Sequence, residues 1–217
     1  MKVGTDGTLL GAWASVPQGN SRVLDIGTGT GLIGLMLAQR FPNAEIMGID
    51  IDADAVRQAR ENVAASPFAE RVTISEADVR QMDSPECFDA IVSNPPYFVD
   101  SLTCPDQQRT TARHTATLTY AQLTAAAFRL LRPEGIFSVV IPTDSLSQLE
   151  AEARLCGFFP SRICKVRTTP TKHPKRCLIE FRKVPVAEID VSEGIIENKP
   201  GERSPWYHEL TQDFYIK

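Results

Sequence analysis

The 217-residue chain lacks the features that would place it in a membrane, a secretory compartment or a metal-stapled mini-fold. No apolar run approaches the ~20 residues needed to cross a bilayer, and the amino terminus lacks the basic-then-apolar order of a leader peptide. A cytoplasmic protein is therefore expected. The five cysteines (Cys87, Cys104, Cys156, Cys164 and Cys177) are an odd, scattered set without a C-x-x-C pair, so they read as reduced thiols rather than a metal or redox site. Internal repeats and low-complexity blocks are also missing. An overall positive charge is absent as well: the formal net charge of -4 argues against indiscriminate polyanion binding over the whole surface.

What is present is the composition of a globular protein, 42% apolar and 23% charged. A chain of this length buries roughly 70 to 75% of its unfolded surface, enough for a core without disulfides or metals. Positive charge is concentrated in one place. Between Pro160 and Lys183 lie Arg162, Lys165, Arg167, Lys172, Lys175, Arg176, Arg182 and Lys183, eight cations against the single acid Glu180. From totals of 23 cations and 27 acids, that leaves 15 and 26 for the rest of the chain.

Strand-like apolar runs alternate with helix-period segments from Ser21 to Ser145, the signature of successive βα units and a parallel sheet covered on both faces. The pattern predicts strands near Arg22 to Ile26, Glu45 to Asp50, Arg71 to Glu76, Phe88 to Ser93 and Gly135 to Ile141. It predicts helices over Leu32 to Arg40, Ala53 to Ala65, Tyr120 to Leu131 and Ser145 to Cys156. Arg132-Pro133-Glu134-Gly135 reads as a helix stop followed by a turn. Beyond Gly157, Ser161 to Thr168 and Arg176 to Lys183 read as an antiparallel hairpin joined by Thr169 to Lys175. The segment from Pro185 onward carries Trp206, Tyr207, Phe214 and Tyr215, aromatic surface suited to docking rather than to a free tail. The sum is an α/β fold with a seven-stranded, mostly parallel sheet, an antiparallel C-terminal hairpin and helices on both faces.

Asp25-Ile26-Gly27-Thr28-Gly29-Thr30-Gly31 follows a strand and opens a helix, where residues without a β-carbon let backbone N–H groups approach a ligand closely. Asp50 ends the next strand, a position from which a carboxylate accepts from both hydroxyls of a ribose. Asp78, in the loop after the third strand, can take an adenine amine in the same way. Together they indicate a nucleoside cofactor without naming it. Gly29-x-Gly31-x-x-Gly34 also satisfies the dinucleotide spacing, so a nicotinamide cofactor stays open at this point, as does an ordinary tight turn.

Asn94-Pro95-Pro96-Tyr97 comes directly after the fourth strand, at the carboxyl edge where doubly wound sheets hold ligands. Two prolines fix φ and remove two backbone donors, leaving a rigid turn with unpaired carbonyl acceptors. With the Asn94 side-chain oxygen beside such a carbonyl, two acceptors converge on one spot and suit an NH2 group. Tyr97 offers a flat face on which an extruded base can stack. The plain alternative is a rigid loop with a buried tyrosine.

Asp25 to Gly31, Asp50, Asp78 and Asn94 to Tyr97 resemble the class I, Rossmann-like methyltransferases that modify amino groups. Met1 to Trp13, Ala112-Arg113-His114 and Leu210 to Tyr215 narrow that resemblance to the bacterial tRNA1(Val) adenine-37-N6 methyltransferases, over essentially the whole chain. The resemblance implies S-adenosylmethionine as cofactor. Gly27, Gly29 and Gly31 would line its methionine end, Asp50 its ribose and Asp78 its adenine, with Thr5, Asp25, Ile51, Val79 and Asn94 also in the cofactor site. Asn94, Pro95, Pro96 and Tyr97 would be the catalytic set. Thr5, Asp6 and Leu9 would wall the transferred methyl, or Thr5 and Asp6 simply cap a helix.

The partner implied is tRNA at its anticodon stem-loop, touched by Tyr97, Arg113 and His114 and, through the basic hairpin, by Lys172, Lys175 and Arg176. A solvated loop and a solvated strand face are the plain readings of those last two groups. A monomer is expected, with neither metal nor membrane. The same turn also resembles that of enzymes methylating rRNA guanine, DNA adenine or protein glutamine, and a non-catalytic RNA-binding module stays conceivable. Members of the family carry an added segment ahead of the Met1 to Trp13 run, so either the start lies upstream or the covering element is reduced. The expected organisation is one domain, with a covering segment over 1–20, a catalytic core over 21–184 and a docking extension over 185–217.

Overall fold

The computed structural model describes residues 4–96 and 118–215. Ten strands are described in chain order: β1 (Arg22–Ile26), β2 (Glu45–Asp50), β3 (Val72–Glu76), β4 (Phe88–Ser93), β5 (Leu131–Pro142), β6 (Phe159–Arg167), β7 (Arg176–Arg182), β8 (Asp190–Ile195), β9 (Glu197–Lys199) and β10 (Glu202–Arg203). The described helices are α1 (Thr5–Trp13), α2 (Leu32–Arg40), α3 (Ala53–Ala64), α4 (Tyr120–Leu130), α5 (Leu146–Cys156) and α6 (Pro205–Thr211). None of these is long and apolar enough to cross a membrane.

Eight strands form one sheet in the order β3-β2-β1-β4-β5-β7-β6-β8. Neighbours from β3 through β5 are parallel, β7 is antiparallel to both β5 and β6, and β8 pairs parallel with β6. Successive side chains along a strand go to opposite faces. Val23 and Val92 therefore pack on one side with Leu9, Trp13, Leu37, Val56 and Tyr207 from α1, α2, α3 and α6. Leu24 and Ile91 pack on the other with Leu123, Leu130 and Leu149 from α4 and α5. Near-continuous apolar strands are what a sheet buried on both faces requires.

Two features depart from the sequence pattern. The sheet has eight strands rather than seven, because Asp190–Ile195 extends it beyond β6; four of those six residues are exposed, so no apolar alternation marks the strand. Arg132 to Gly135 does not leave the sheet as a turn. It is accommodated within β5 as a bulge, since Phe88 faces Leu131 while Ala90 already faces Ile136. A β-carbon at Gly135 would lie 2.6 Å from Leu131 Cγ and 3.0 Å from the Asp89 carbonyl, so the bulge closes only around glycine.

The chain order reverses between β1 and β4, which are adjacent although β2 and β3 intervene in sequence. That switch point opens a crevice at the carboxyl ends of the two strands, and both sequence motifs emerge there.

Candidate active site

Asp25 lies near the end of β1 and is fully buried. Its Oδ2 accepts from the Thr28 hydroxyl at 2.7 Å and from the Gly34 N–H at 3.2 Å, tying both ends of the glycine loop to one carboxylate. Among the described residues its Oδ1 has no hydrogen-bond partner. Burial dominates and pushes the carboxyl up to about 6 from the usual 3.8, with the two hydrogen bonds working against it.

Gly27, Gly29 and Gly31 have φ of +72°, +56° and +80°, a region that residues with a β-carbon occupy only at a cost. The N–H groups of Gly27 and Thr28 both donate to the Ile49 carbonyl at 2.9 Å. The Gly29 N–H donates to Asp50 Oδ2 at 2.9 Å, while Asp50 Oδ1 accepts from the Asp52 N–H at 3.0 Å. The Asp50 carboxylate is thereby fixed in place with half of its roughly four acceptor positions still open. Gly31 doubles as the cap of α2 without a side-chain bond, so the positive end of the α2 dipole lies at the loop.

Asp78 caps the short turn Val79–Gln81, accepting the Arg80 N–H at 2.9 Å. The Arg80 guanidinium returns to both oxygens at 2.7 to 2.9 Å. That bond holds the Asp78 carboxyl below its ordinary range. Arg129 of α4 donates to the carbonyls of Met82 and Val79 at 2.7 and 3.1 Å and so fixes the same turn from behind. Between β1 and β4, the Ser93 hydroxyl donates to the Ile26 carbonyl at 2.9 Å.

These elements surround a cavity of about 360 Å3 lined by Ile26, Gly27, Ile49, Asp50, Ile51, Ala77, Asp78, Val79, Arg80, Ser93, Asn94, Pro95, Pro96 and Leu118. A β-carbon at Gly27 would meet nothing within 4 Å, so any side chain there would grow into open space at the cavity wall. Ile51 is half exposed and gives the cavity an apolar face beside the Asp50 and Asp78 carboxylates. The apolar face of Ile51 beside the open half of the Asp50 carboxylate and the glycine loop fits the base and ribose hydroxyls of a nucleoside. Asp78 would take an amine only where the Arg80 guanidinium gives way.

The cavity brings together Gly27, Asp50, Ile51, Asp78, Val79, Asn94, Pro95 and Pro96 of the expected site. Gly29 and Gly31 shape the loop, and Asp25 supports it from beneath. Thr5 is exposed on the first turn of α1, where Gly4 is the N-cap, and it does not line the cavity. Tyr97, Arg113 and His114 lie outside the described residues. Lys172 and Lys175 are exposed, whereas Arg176 is partly buried in an ion pair with Asp6. Arg80, Arg129, Ser93 and Leu118 were not singled out from the sequence. A carboxylate with an arginine two residues on, in Asp78-Val79-Arg80, is the local signal that would have found the first of them.

Comparison with known proteins bears on what the cavity serves. A model of a methyltransferase domain matches residues 17–178. The tRNA1(Val) (adenine(37)-N6)-methyltransferase of Bacteroides thetaiotaomicron is 50% identical over 217 residues, covering 100% of this chain and 91% of its own. The protein of the same name from Porphyromonas gingivalis is 47% identical over 230 residues, covering 99% of this chain and 89% of its own. The chain belongs to the tRNA1(Val) (adenine(37)-N6)-methyltransferase family. A solved structure of a predicted O-methyltransferase from Agrobacterium tumefaciens shares the fold with a TM-score of 0.75 at 20% identity, over 98% of each chain. A SAM-dependent methyltransferase from Corynebacterium glutamicum does so with a TM-score of 0.55 at 18% identity, over 84% of this chain and 89% of its own. In this methyltransferase family member the third glycine of the dinucleotide-like spacing is a packing residue. Gly34 lies inside α2, where a β-carbon would approach Ile46 Cγ2 to 3.3 Å. Family membership removes the nicotinamide reading.

Proposed function

We propose that this protein transfers a methyl group from S-adenosylmethionine to the exocyclic N6 of adenine 37 in tRNA1(Val), beside the anticodon. The observation that carries the reading is the single cavity on which the Asn94-Pro95-Pro96 turn meets Gly27, Asp50 and Asp78. The names of the family relatives supply the nucleotide and the tRNA.

Gly27, Gly29 and Gly31 would admit the methionine end of the cofactor, Asp50 would hold its ribose hydroxyls, and Asp78 its adenine amine against Ile51 and Val79. When bound, S-adenosylmethionine supplies a methyl carbon on a sulfonium, whose breaking bond returns its electron pair to sulfur. The adenine amine is a weak nucleophile because its lone pair is delocalised into the ring. Asn94 Oδ1 and a carbonyl of the diproline turn would accept its two N–H bonds and favour the more tetrahedral nitrogen that attack requires. Alignment of two bound reactants is worth up to roughly 7 to 11 kcal/mol, so these residues need act only as positioned acceptors. The extra proton passes from the cationic nitrogen to water after methyl transfer, so no strongly basic side chain is required.

The β6–β7 turn carries the RNA contact in this reading. Arg176 pairs with Pro142 at the end of β5, and the Thr143 N–H donates to the Lys175 carbonyl, so this turn projects from the same sheet edge as Asn94. Lys172 and Lys175 stand exposed on it and can approach phosphates of the anticodon stem. The test is mass spectrometry of tRNA1(Val) from cells with and without the gene. The expected result is loss of N6-methyladenosine at position 37 in the deletion; an unchanged nucleoside there, or loss of a methylated base in DNA or rRNA instead, contradicts the proposal.

A further inference from the structure

α1 has nine residues, too short to hold its own shape in water, so its position depends on what grips it. Three arginines do. In the first turn the Asp6 carboxylate accepts from Nε of Arg176, the first residue of β7, with the two side chains only 14% and 27% exposed. At the other end the Arg162 guanidinium of β6 lies 4.0 Å over the Trp13 ring and donates to the Trp13 carbonyl at 3.3 Å. Arg40 of α2 donates to the Gly11 and Ala14 carbonyls at 2.9 and 2.8 Å. An acid at the start and cations at the last carbonyls complement the helix dipole.

This grip reaches the active site. A β-carbon at Gly7, the residue after Asp6, would lie 3.4 Å from Leu32 Cδ2, and Leu32 directly follows the glycine loop. The Asp6–Arg176 pair ties the turn of α1 that packs on Leu32 to the base of the basic hairpin, so its link to the glycine loop runs through Gly7 and Leu32. Arg176 has already spent its charge within the protein. Arg162 has too, facing Glu180 at 3.6 Å and Asp190 at 3.7 Å. Lys172 and Lys175 enter no ion pair among the described residues.

We propose that Arg176 and Asp6 are positioning residues that clamp α1 against the glycine loop and hold the cofactor side of the site, while at the β6–β7 turn Lys172 and Lys175, not Arg176, make the phosphate contact. The hairpin's cations then divide into an inward set that shapes the site and an outward set that meets RNA. The proposal rests on the cavity being the S-adenosylmethionine site.

The experiment compares wild type with Arg176→Gln, Asp6→Asn, the two combined, the conservative Arg176→Lys, the charge-exchanged pair Asp6→Lys with Arg176→Glu, and Lys172→Glu with Lys175→Glu. S-adenosylmethionine affinity is measured by calorimetry, and tRNA affinity by filter binding across a salt series. The expected result is that Arg176→Gln and Asp6→Asn each weaken cofactor binding on the order of tenfold, without adding when combined. Arg176→Lys and the exchanged pair recover most of that loss, which a merely misfolded variant would not. The salt slope of tRNA binding stays at the wild-type value in all of these, and falls by about one per lysine in the Lys172 and Lys175 variants with cofactor affinity intact. A slope reduced by about one in Arg176→Gln, with unchanged cofactor affinity, overturns the proposal. Absence of S-adenosylmethionine binding by wild type itself overturns the underlying reading and this one with it.

Discussion

Asn94 stands where β4 runs out and lines the cavity, and the role proposed for it rests on that position, since a carboxamide does not titrate. The account predicts that Asn94→Ala lowers the single-turnover methylation rate on the order of 10²- to 10³-fold, the usual loss for removing one positioned polar group at a reacting centre. Cofactor affinity, read by calorimetry, should stay within about threefold of wild type, because the amide addresses the acceptor amine rather than the donor. Asp25 behaves differently, since its carboxyl is raised to about 6 by burial. A raised acid contributes stability that is present below its unfolded value near 4 and is lost as pH climbs through 6. Two pH units correspond to about 3 kcal/mol. Asp25→Asn removes that term, so in cofactor-free protein the variant should gain roughly that much on wild type between pH 4 and pH 7, measured by denaturant unfolding at each pH. Glycines at positive φ and an Asn before two prolines announce themselves in sequence because their constraint is local. Arg129 does not, because its targets Val79 and Met82 lie 50 and 47 residues away and only the docking of α4 brings them together.

Besides Gly135, Gly48 and Gly194 hold elements closer than a β-carbon permits without a neighbour moving. Gly48 sits in β2 directly under the glycine loop, where a β-carbon would lie 2.7 Å from Ile74 Cδ1 and 2.8 Å from Thr28 Oγ1. Gly48→Ala should displace the Thr28 hydroxyl from Asp25, costing about 1 to 3 kcal/mol of stability and weakening cofactor binding, both visible in thermal melts with and without S-adenosylmethionine. Gly194 in β8 faces the Trp206 indole of α6, whose nearest atom would be 2.3 Å from an added β-carbon. A rigid ring cannot yield as a methionine tail can. Gly194→Ala should therefore loosen α6, raising hydrogen exchange there while leaving α4 and α5 unchanged. The parallel strands and their helices were legible from βα alternation because both faces of the sheet are buried. β8 was not, because its exposed residues carry no apolar period and its place is set by pairing with β6. The Arg132 to Gly135 bulge was missed for a related reason: proline and glycine suit a turn and a bulge equally, and only the register against β4 chooses.

The molecule as a whole carries a net charge of -4, yet it gathers the β6–β7 turn, the Asn94 turn and the glycine loop along one sheet edge. In the proposed function, a net negative charge elsewhere would orient a polyanion toward that edge instead of attracting it everywhere. If Lys172 and Lys175 make the phosphate contact, so few cations would limit how steeply tRNA binding responds to salt, and most of the specificity would have to come from a base held at the diproline turn. The measurement that tests this most directly is methyl transfer by the purified protein from labelled S-adenosylmethionine to unmodified tRNA1(Val), beside the same tRNA with guanine at position 37. The account predicts label only in the first, recovered entirely as N6-methyladenosine at that position. Equal labelling of both, or label recovered as any other nucleoside, contradicts it.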